Sequence, residues 1–151
     1  MELGPDGALY VAEFDGFWDA GPNSNVSRYR WLRGSAAAEY QASTNNISLG
    51  EQVYTSRCAA CHQNSGQGVP GSFPPLVATD WVTGDTTRLI DTVLNGLSGE
   101  ITVNGEKYSG VMAPWRDALS DREIASVLTY IRSSWGNDAP LVTSEQVALA
   151  R

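Results

Sequence analysis

The chain has 151 residues, 42% of them hydrophobic and 18% charged, with a formal net charge of −7. That size suits one domain with an extension, and the acidic balance argues against nucleic acid, whose phosphates call for basic patches. No apolar run approaches the ~20 residues that span a bilayer, and "MELGPDGALY" lacks the basic and apolar regions of a signal peptide, so a chain working outside the cytoplasm is expected to be mature or to lie downstream of other sequence.

Residues 1–34 are turn-rich and aromatic. "ALYVAEF" between Asp6-Gly7 and Asp15-Gly16 reads as a strand, with Leu9, Val11 and Glu13 on one face and Tyr10, Ala12 and Phe14 on the other. "VSRYRWL" supplies a second strand across a Gly/Pro/Asn loop, and "SAAAEYQASTNNI", residues 35–47, reads as a linker. Helical signals begin at Ser48, which with Glu51 makes a capping-box pattern ahead of a short helix running into the cysteines. The segment "QNSGQGVPGSFPPL" holds too many breakers for regular structure. In "TTRLIDTVLNGLSG" the apolar residues Leu89, Ile90, Val93, Leu94 and Leu97 share one helical side, and Gly96 is the expected stop. Asn104-Gly105 between short runs signals a hairpin. Ser120 and Glu123 open the clearest helix, with Ile124, Val127, Leu128 and Ile131 as its apolar stripe and Gly136 as its end. "TSEQVALAR" suggests a last short helix. Two parts are therefore expected: a β-rich extension at 1–47 and an all-α domain with long loops and one small β-hairpin at 48–151.

The chain has two cysteines and one histidine, and they are adjacent: Cys58-Ala59-Ala60-Cys61-His62. This is C-x-x-C-H, the attachment signature of c-type haem. Two thioethers on one porphyrin edge hold the ring against a single backbone turn, and the next residue then lies under the iron, so His62 is positioned to coordinate through Nε2. A bare C-x-x-C also serves as a redox dithiol, half of a zinc site or a small-loop disulfide. Zinc needs four ligands, and this chain offers one histidine and no further cysteine. A thioredoxin-like motif wants a βαβ context, which the pattern lacks.

A sixth ligand has to come from elsewhere. Of the two methionines, Met1 stands at the tip of the extension, which leaves Met112 in "SGVMAPW" as the candidate. An irregular, Gly/Pro-flanked loop can bring a thioether back over the ring. Met/His ligation raises the iron's potential and fills both axial positions, which favours electron transfer over chemistry at the metal.

With these residues in view, the stretch from about Gly50 to Trp135 resembles a class I cytochrome c. The resemblance is carried by "GEQVYTSRCAACH", "GQGVPGSFPPL", "VLNGLSGEITVNGEKYSGVMAPW" and "LSDREIASVLTYIRSSWGN". It implies the class I fold, one haem c on Cys58 and Cys61, iron held by His62 and Met112, and an electron-transfer role without enzymatic activity of the domain's own. It also implies a crossing of the first and last helices near Gly50 and Tyr130, and a proline carbonyl that orients His62, with Pro74 the first choice and Pro75 the second. Trp81, Arg88, Trp115 and Arg116 are candidate donors to the haem propionates, against ordinary packing or solvated charge. Tyr54, Leu76, Val93, Leu94 and Leu128 are expected to line the apolar pocket.

The first segment resembles one hairpin of a β-propeller dehydrogenase of the glucose/sorbosone type. Propellers need several blades of ~40 residues, so two readings stand: the remnant of an upstream dehydrogenase, or a native extension that packs on the domain or associates with another copy. The expected role is a periplasmic or otherwise extracytoplasmic carrier between a dehydrogenase donor and an oxidase or cytochrome acceptor. A haem enzyme or a gas-sensing domain is the alternative, and each requires an open sixth site.

Overall fold

The computed structural model describes residues 2–3, 9–13, 25–29 and 47–151. The chain divides into two units, Met1–Gln41 and Ala42–Arg151.

In the first unit, three strands form an antiparallel sheet: β1 (Glu2–Leu3), β2 (Leu9–Glu13) and β3 (Asn25–Tyr29). Leu9 pairs with Tyr29 and Glu13 with Asn25. The two expected strands are β2 and β3. The added strand β1 has two residues, too few for any periodicity to show. The Asp-Gly turns, Phe14 and the linker up to residue 46 lie outside the described residues.

The second unit is mainly helical with one two-stranded hairpin, the architecture expected of it. Its first helix, α1, covers 47–53 and continues through a π-helical turn, Tyr54–Cys58, into α2 (Ala59–His62). Ser48 therefore lies inside α1 and is not its cap, because the helix already includes Ile47. The pattern Ser48–Glu51 has the right spacing, but it falls inside the helix.

After the irregular loop come α3 (Asp80–Thr83), capped by Thr79, and α4 (Thr86–Asn95), capped by Asp85, whose carboxylate accepts from the Thr87 N–H at 2.8 Å. Gly96 ends α4 with φ 72°. Strands β4 (Ile101–Val103) and β5 (Glu106–Tyr108) pair across Asn104 and Gly105, both at positive φ as a tight two-residue turn requires.

Helix α5 (Asp121–Ser133) carries the capping box of Ser120 and Glu123. It stops at Ser133, three residues before Gly136, with Ser134 already extended. Trp135 (φ 54°) and Gly136 (φ 86°) then turn the chain. Helix α6 (Ser144–Ala150) has a second capping box, from Thr143 and Gln146.

The core is one cluster built from Val53 and Tyr54, the inner faces of α4 and α5, and Val142 and Val147 near the chain's end. Gly50 is where α1 meets α5: a Cβ there would stand 2.2 Å from the Ser126 carbonyl oxygen and 2.8 Å from the Tyr130 Cβ. The expected glycine contact is present. At the far end of α5, Arg132 is 2% exposed and faces carbonyls, not carboxylates. Its guanidinium donates to Pro140 at 2.7 Å and Val82 at 2.8 Å, tying α3 and the 140 segment to α5.

Candidate haem site

The π-helical turn delivers the cysteines. The Ser56 hydroxyl donates to the carbonyls of Gln52 (2.8 Å) and Val53 (3.2 Å), a side-chain back-bond of the kind that bends helices. Single π turns inside α-helices recur at functional sites. Both thiols are unpaired; Cys61 is exposed and Cys58 partly buried. Burial, with neighbouring Cys61 adding to it, pushes the Cys58 thiol up to about 11.

His62 closes α2, and the chain reverses at Gln63 with φ 62°. His62 Nδ1 lies 3.0 Å from the Pro74 carbonyl oxygen. A protonated Nδ1 donates there, which fixes the ring and leaves the Nε2 lone pair for a metal. Burial holds the imidazole below its ordinary pKa, and the Pro74 bond opposes that. The loop that carries Pro74 is narrow: Val69 and Phe73 exchange two backbone hydrogen bonds of 2.8 Å. Gly68 is required beneath it, since a Cβ would stand 2.3 Å from the Phe73 oxygen and 2.6 Å from the Pro74 oxygen.

Met112 comes from the other side of the sequence. An isolated bridge pairs it with Leu97: Met112 N–H donates to Leu97 at 2.9 Å and Leu97 N–H to Met112 at 3.1 Å. Trp115 N–H and Arg116 N–H donate to Val93 and Leu94 at the end of α4, at 3.0 and 3.2 Å. The methionine segment is thus laid along α4.

Two adjoining cavities share Cys58, His62, Pro74, Leu97, Ile101, Met112 and Trp115 as lining. The outer part adds Cys61, Phe73 and Val111; the inner part adds Tyr54, Leu76, Trp81, Val82, Val93 and Leu128. The donor set fits a covalently held haem: two free thiols, an imidazole with Nε2 unclaimed, a thioether, and walls that are nearly all apolar. Among the described residues, no group of three or more His, Cys, Asp and Glu side chains gathers as a competing metal site.

Not every expected residue lines this cavity. Leu94 is fully buried but packs in the core, because the α4 positions that line the cavity are Leu89, Thr92 and Val93. Arg88 lies outside the lining, with its guanidinium carbon 4.7 Å from the Trp81 ring centre and Nη2 donating to the Asp80 carbonyl (2.7 Å) and carboxylate (3.0 Å). Trp81 spends its indole N–H on the Thr102 carbonyl at 2.9 Å. Arg116 is apart from the cavity, held by Asn95 at 2.9 Å and by Arg151.

Other features carry no sequence signal of their own. Tyr54, Tyr130 and Trp135 form an aromatic cluster with ring centres 5.1 to 5.7 Å apart. The Tyr54 hydroxyl donates to the Gln63 carbonyl at 2.6 Å, beside His62. Burial, then Cys58 and Tyr130, raise its pKa. A spacing of Tyr54 four residues before Cys58 is visible in the sequence, but its partner carbonyl is not.

The family model described as Cytochrome c matches residues 47–135. Cytochrome c-552 of Thermus thermophilus is 47% identical over 92 residues, covering 58% of this chain and 69% of that protein. The cytochrome c subunit of alcohol dehydrogenase (quinone) from Gluconacetobacter polyoxogenes is 38% identical over 120 residues, 77% of this chain but 25% of that protein. The Cbb3-type cytochrome c oxidase subunit CcoP of an Azospirillum strain is 31% identical over 102 residues, 63% of this chain and 31% of that protein.

Proposed function

The chain belongs to the cytochrome c family, and from that premise we propose a class I domain. In it, His62 and Met112 would hold the haem iron, and single electrons would pass from a dehydrogenase to a respiratory acceptor. The domain is an electron-transfer module and not an enzyme, and its cofactor is covalently bound haem c. The two cysteines at 58 and 61 fit the attachment motif. When bound, haem c supplies a one-electron iron couple.

The observation that carries the ligand assignment is that His62 and Met112 line one cavity while Pro74 occupies the other ring nitrogen of His62. Leu76, Val93 and Leu128 exclude water, and a dry surround lowers the reorganisation that accompanies a change of charge. Arg88 stands outside the cavity lining, behind the Trp81 ring, and is proposed as a propionate donor only through its buried Nε, which has no hydrogen-bond partner. Trp81 and Trp115 act as walls.

The direction of transfer is supported by relatives named as a dehydrogenase's cytochrome c subunit and as an oxidase subunit. A place outside the cytoplasm is supported by covalent haem attachment and by those bacterial relatives. Among the described residues, no helix is long and apolar enough to cross a membrane. For residues 1–47 we favour kinship with a β-propeller dehydrogenase, supported by the "PDGALYV" run and the antiparallel β1–β3 sheet. The coding sequence upstream tests it: further propeller repeats are expected.

A spectrum of the purified ferric protein tests the ligands. The expected result is a low-spin spectrum with a weak far-red methionine-to-iron band that disappears in Met112→Ala. A high-spin spectrum in the unmodified protein overturns the assignment.

A further inference from the structure

We propose that Asn137 is a positioning residue for haem ligation: its carboxamide anchors the loop that presents the Pro74 carbonyl to His62. Asn137 is 7% exposed and uses both ends of its amide. Nδ2 donates to the carbonyls of Leu76 (2.9 Å) and Ile131 (2.8 Å), and Oδ1 accepts from the Ala78 N–H (2.9 Å). One side chain thus ties the open C-terminal end of α5 to a loop about sixty residues earlier.

That loop has little slack. Leu76 N–H donates to Gly66 at 2.7 Å, so Leu76 is held on both sides of its peptide. Ala78 is a non-glycine residue at φ 50°, a conformation that persists only where its surroundings over-determine it. Pro74 lies two residues before Leu76, boxed between Gly68 and the His62 ring. Removing the amide strips the buried Ile131 carbonyl and the half-buried Leu76 carbonyl and Ala78 N–H of their shared partner, and the loop relieves that cost by shifting toward solvent. Movement at Leu76 is transmitted to the Pro74 carbonyl. A weaker Nδ1–H···O bond makes the imidazole a poorer donor, which disfavours ferric iron. This rests on His62 as ligand.

The experiment compares holo Asn137→Ala and Asn137→Gln with the unmodified protein by redox titration and by hydrogen exchange. Asn137→Ala is expected to keep its covalent haem, titrate at higher midpoint potential, and exchange the His62 Nδ1 proton roughly ten-fold faster; Asn137→Gln, which retains the amide, is expected to recover part of both. A lower melting temperature with potential and ring exchange unchanged overturns the proposal. Should Asn137→Ala not fold, exchange in the unmodified protein decides. The Ala78 amide and the His62 Nδ1 proton are then expected to show similar protection relative to their intrinsic exchange rates, and an Ala78 amide less protected by ~100-fold overturns it. Absence of iron-induced shifts on the His62 ring in the unmodified protein overturns the ligand assignment itself, which the other outcomes leave intact.

Discussion

A Cβ placed on Gly96 would stand 2.4 Å from the carbonyl oxygen of Met112. The end of α4 and the methionine segment are therefore in backbone contact, and Leu97 and Met112 exchange hydrogen bonds immediately beside that contact. The glycine that stops the helix is also the one that admits the methionine.

Gly96→Ala combines that clash with a positive φ of 72°. Each effect costs on the order of 1–3 kcal/mol. Denaturant unfolding of the holo protein is expected to show the loss, and the far-red methionine band should weaken in parallel. Full retention of both would mean that the methionine segment is not held against α4.

Gly50→Ala sets two effects against each other. Alanine is the better helix former by about 1 kcal/mol, but its Cβ would meet the Ser126 carbonyl at 2.2 Å, and backbone cannot step aside cheaply. Overpacking of about 1–3 kcal/mol wins. Thermal unfolding should show a lower Tm; a rise would disprove the close crossing of α1 and α5.

Replacing Cys58 and Cys61 together by Ser should release the haem into denaturant, whereas either single change leaves one thioether. Haem staining after denaturing electrophoresis reads this directly. Haem that stays with the doubly substituted chain sinks the attachment assignment.

The Ser120–Glu123 capping box predicts a pH dependence. The Ser120 hydroxyl and backbone N–H hold the Glu123 carboxyl below its ordinary pKa. Its contribution is therefore fully present above the unfolded value of about 4.3 and lost as pH falls through the lower folded value. Glu123→Gln should flatten stability against pH in that acid window. Ser120→Ala should cost ~1 kcal/mol at neutral pH. Equal acid slopes for Glu123→Gln and the unmodified protein would rule the box out as a contributor.

Arg132→Leu leaves the carbonyls of Val82, Gly84 and Pro140 without their donor. The buried Val82 acceptor stripped of its partner costs about 1–3 kcal/mol, and the half-buried Gly84 and Pro140 carbonyls add less because water reaches them, so the variant should be clearly less stable. Arg132→Lys, with a single point donor, should recover part. Chemical denaturation distinguishes the two, and a Leu variant as stable as the unmodified protein contradicts the bonding.

Much of the helical unit was legible along the chain. Gly96, Asn104-Gly105 and the Ser120–Glu123 box are local signals, and the structure places each within the element it announced. Two readings slipped at helix boundaries. Ser48 has the spacing of a cap but lies inside α1, and α5 ends at Ser133, ahead of Gly136. Boundaries depend on which orphan groups find partners, and at Ile131 that partner is Asn137, a residue beyond the helix.

The sequence by itself determined the cofactor chemistry. Two thiols and an imidazole in five consecutive residues constrain one another through a single backbone turn, so their spacing alone carries the meaning. Tertiary structure alone decided which carbonyl stands at His62 Nδ1, that Leu94 packs in the core while Val93 lines the cavity, that Arg116 is remote, and that Asn137 anchors the Pro74 loop. Those relations join residues 12 to 61 positions apart. Such distant partners are set by how helices and loops pack, and no local spacing records it.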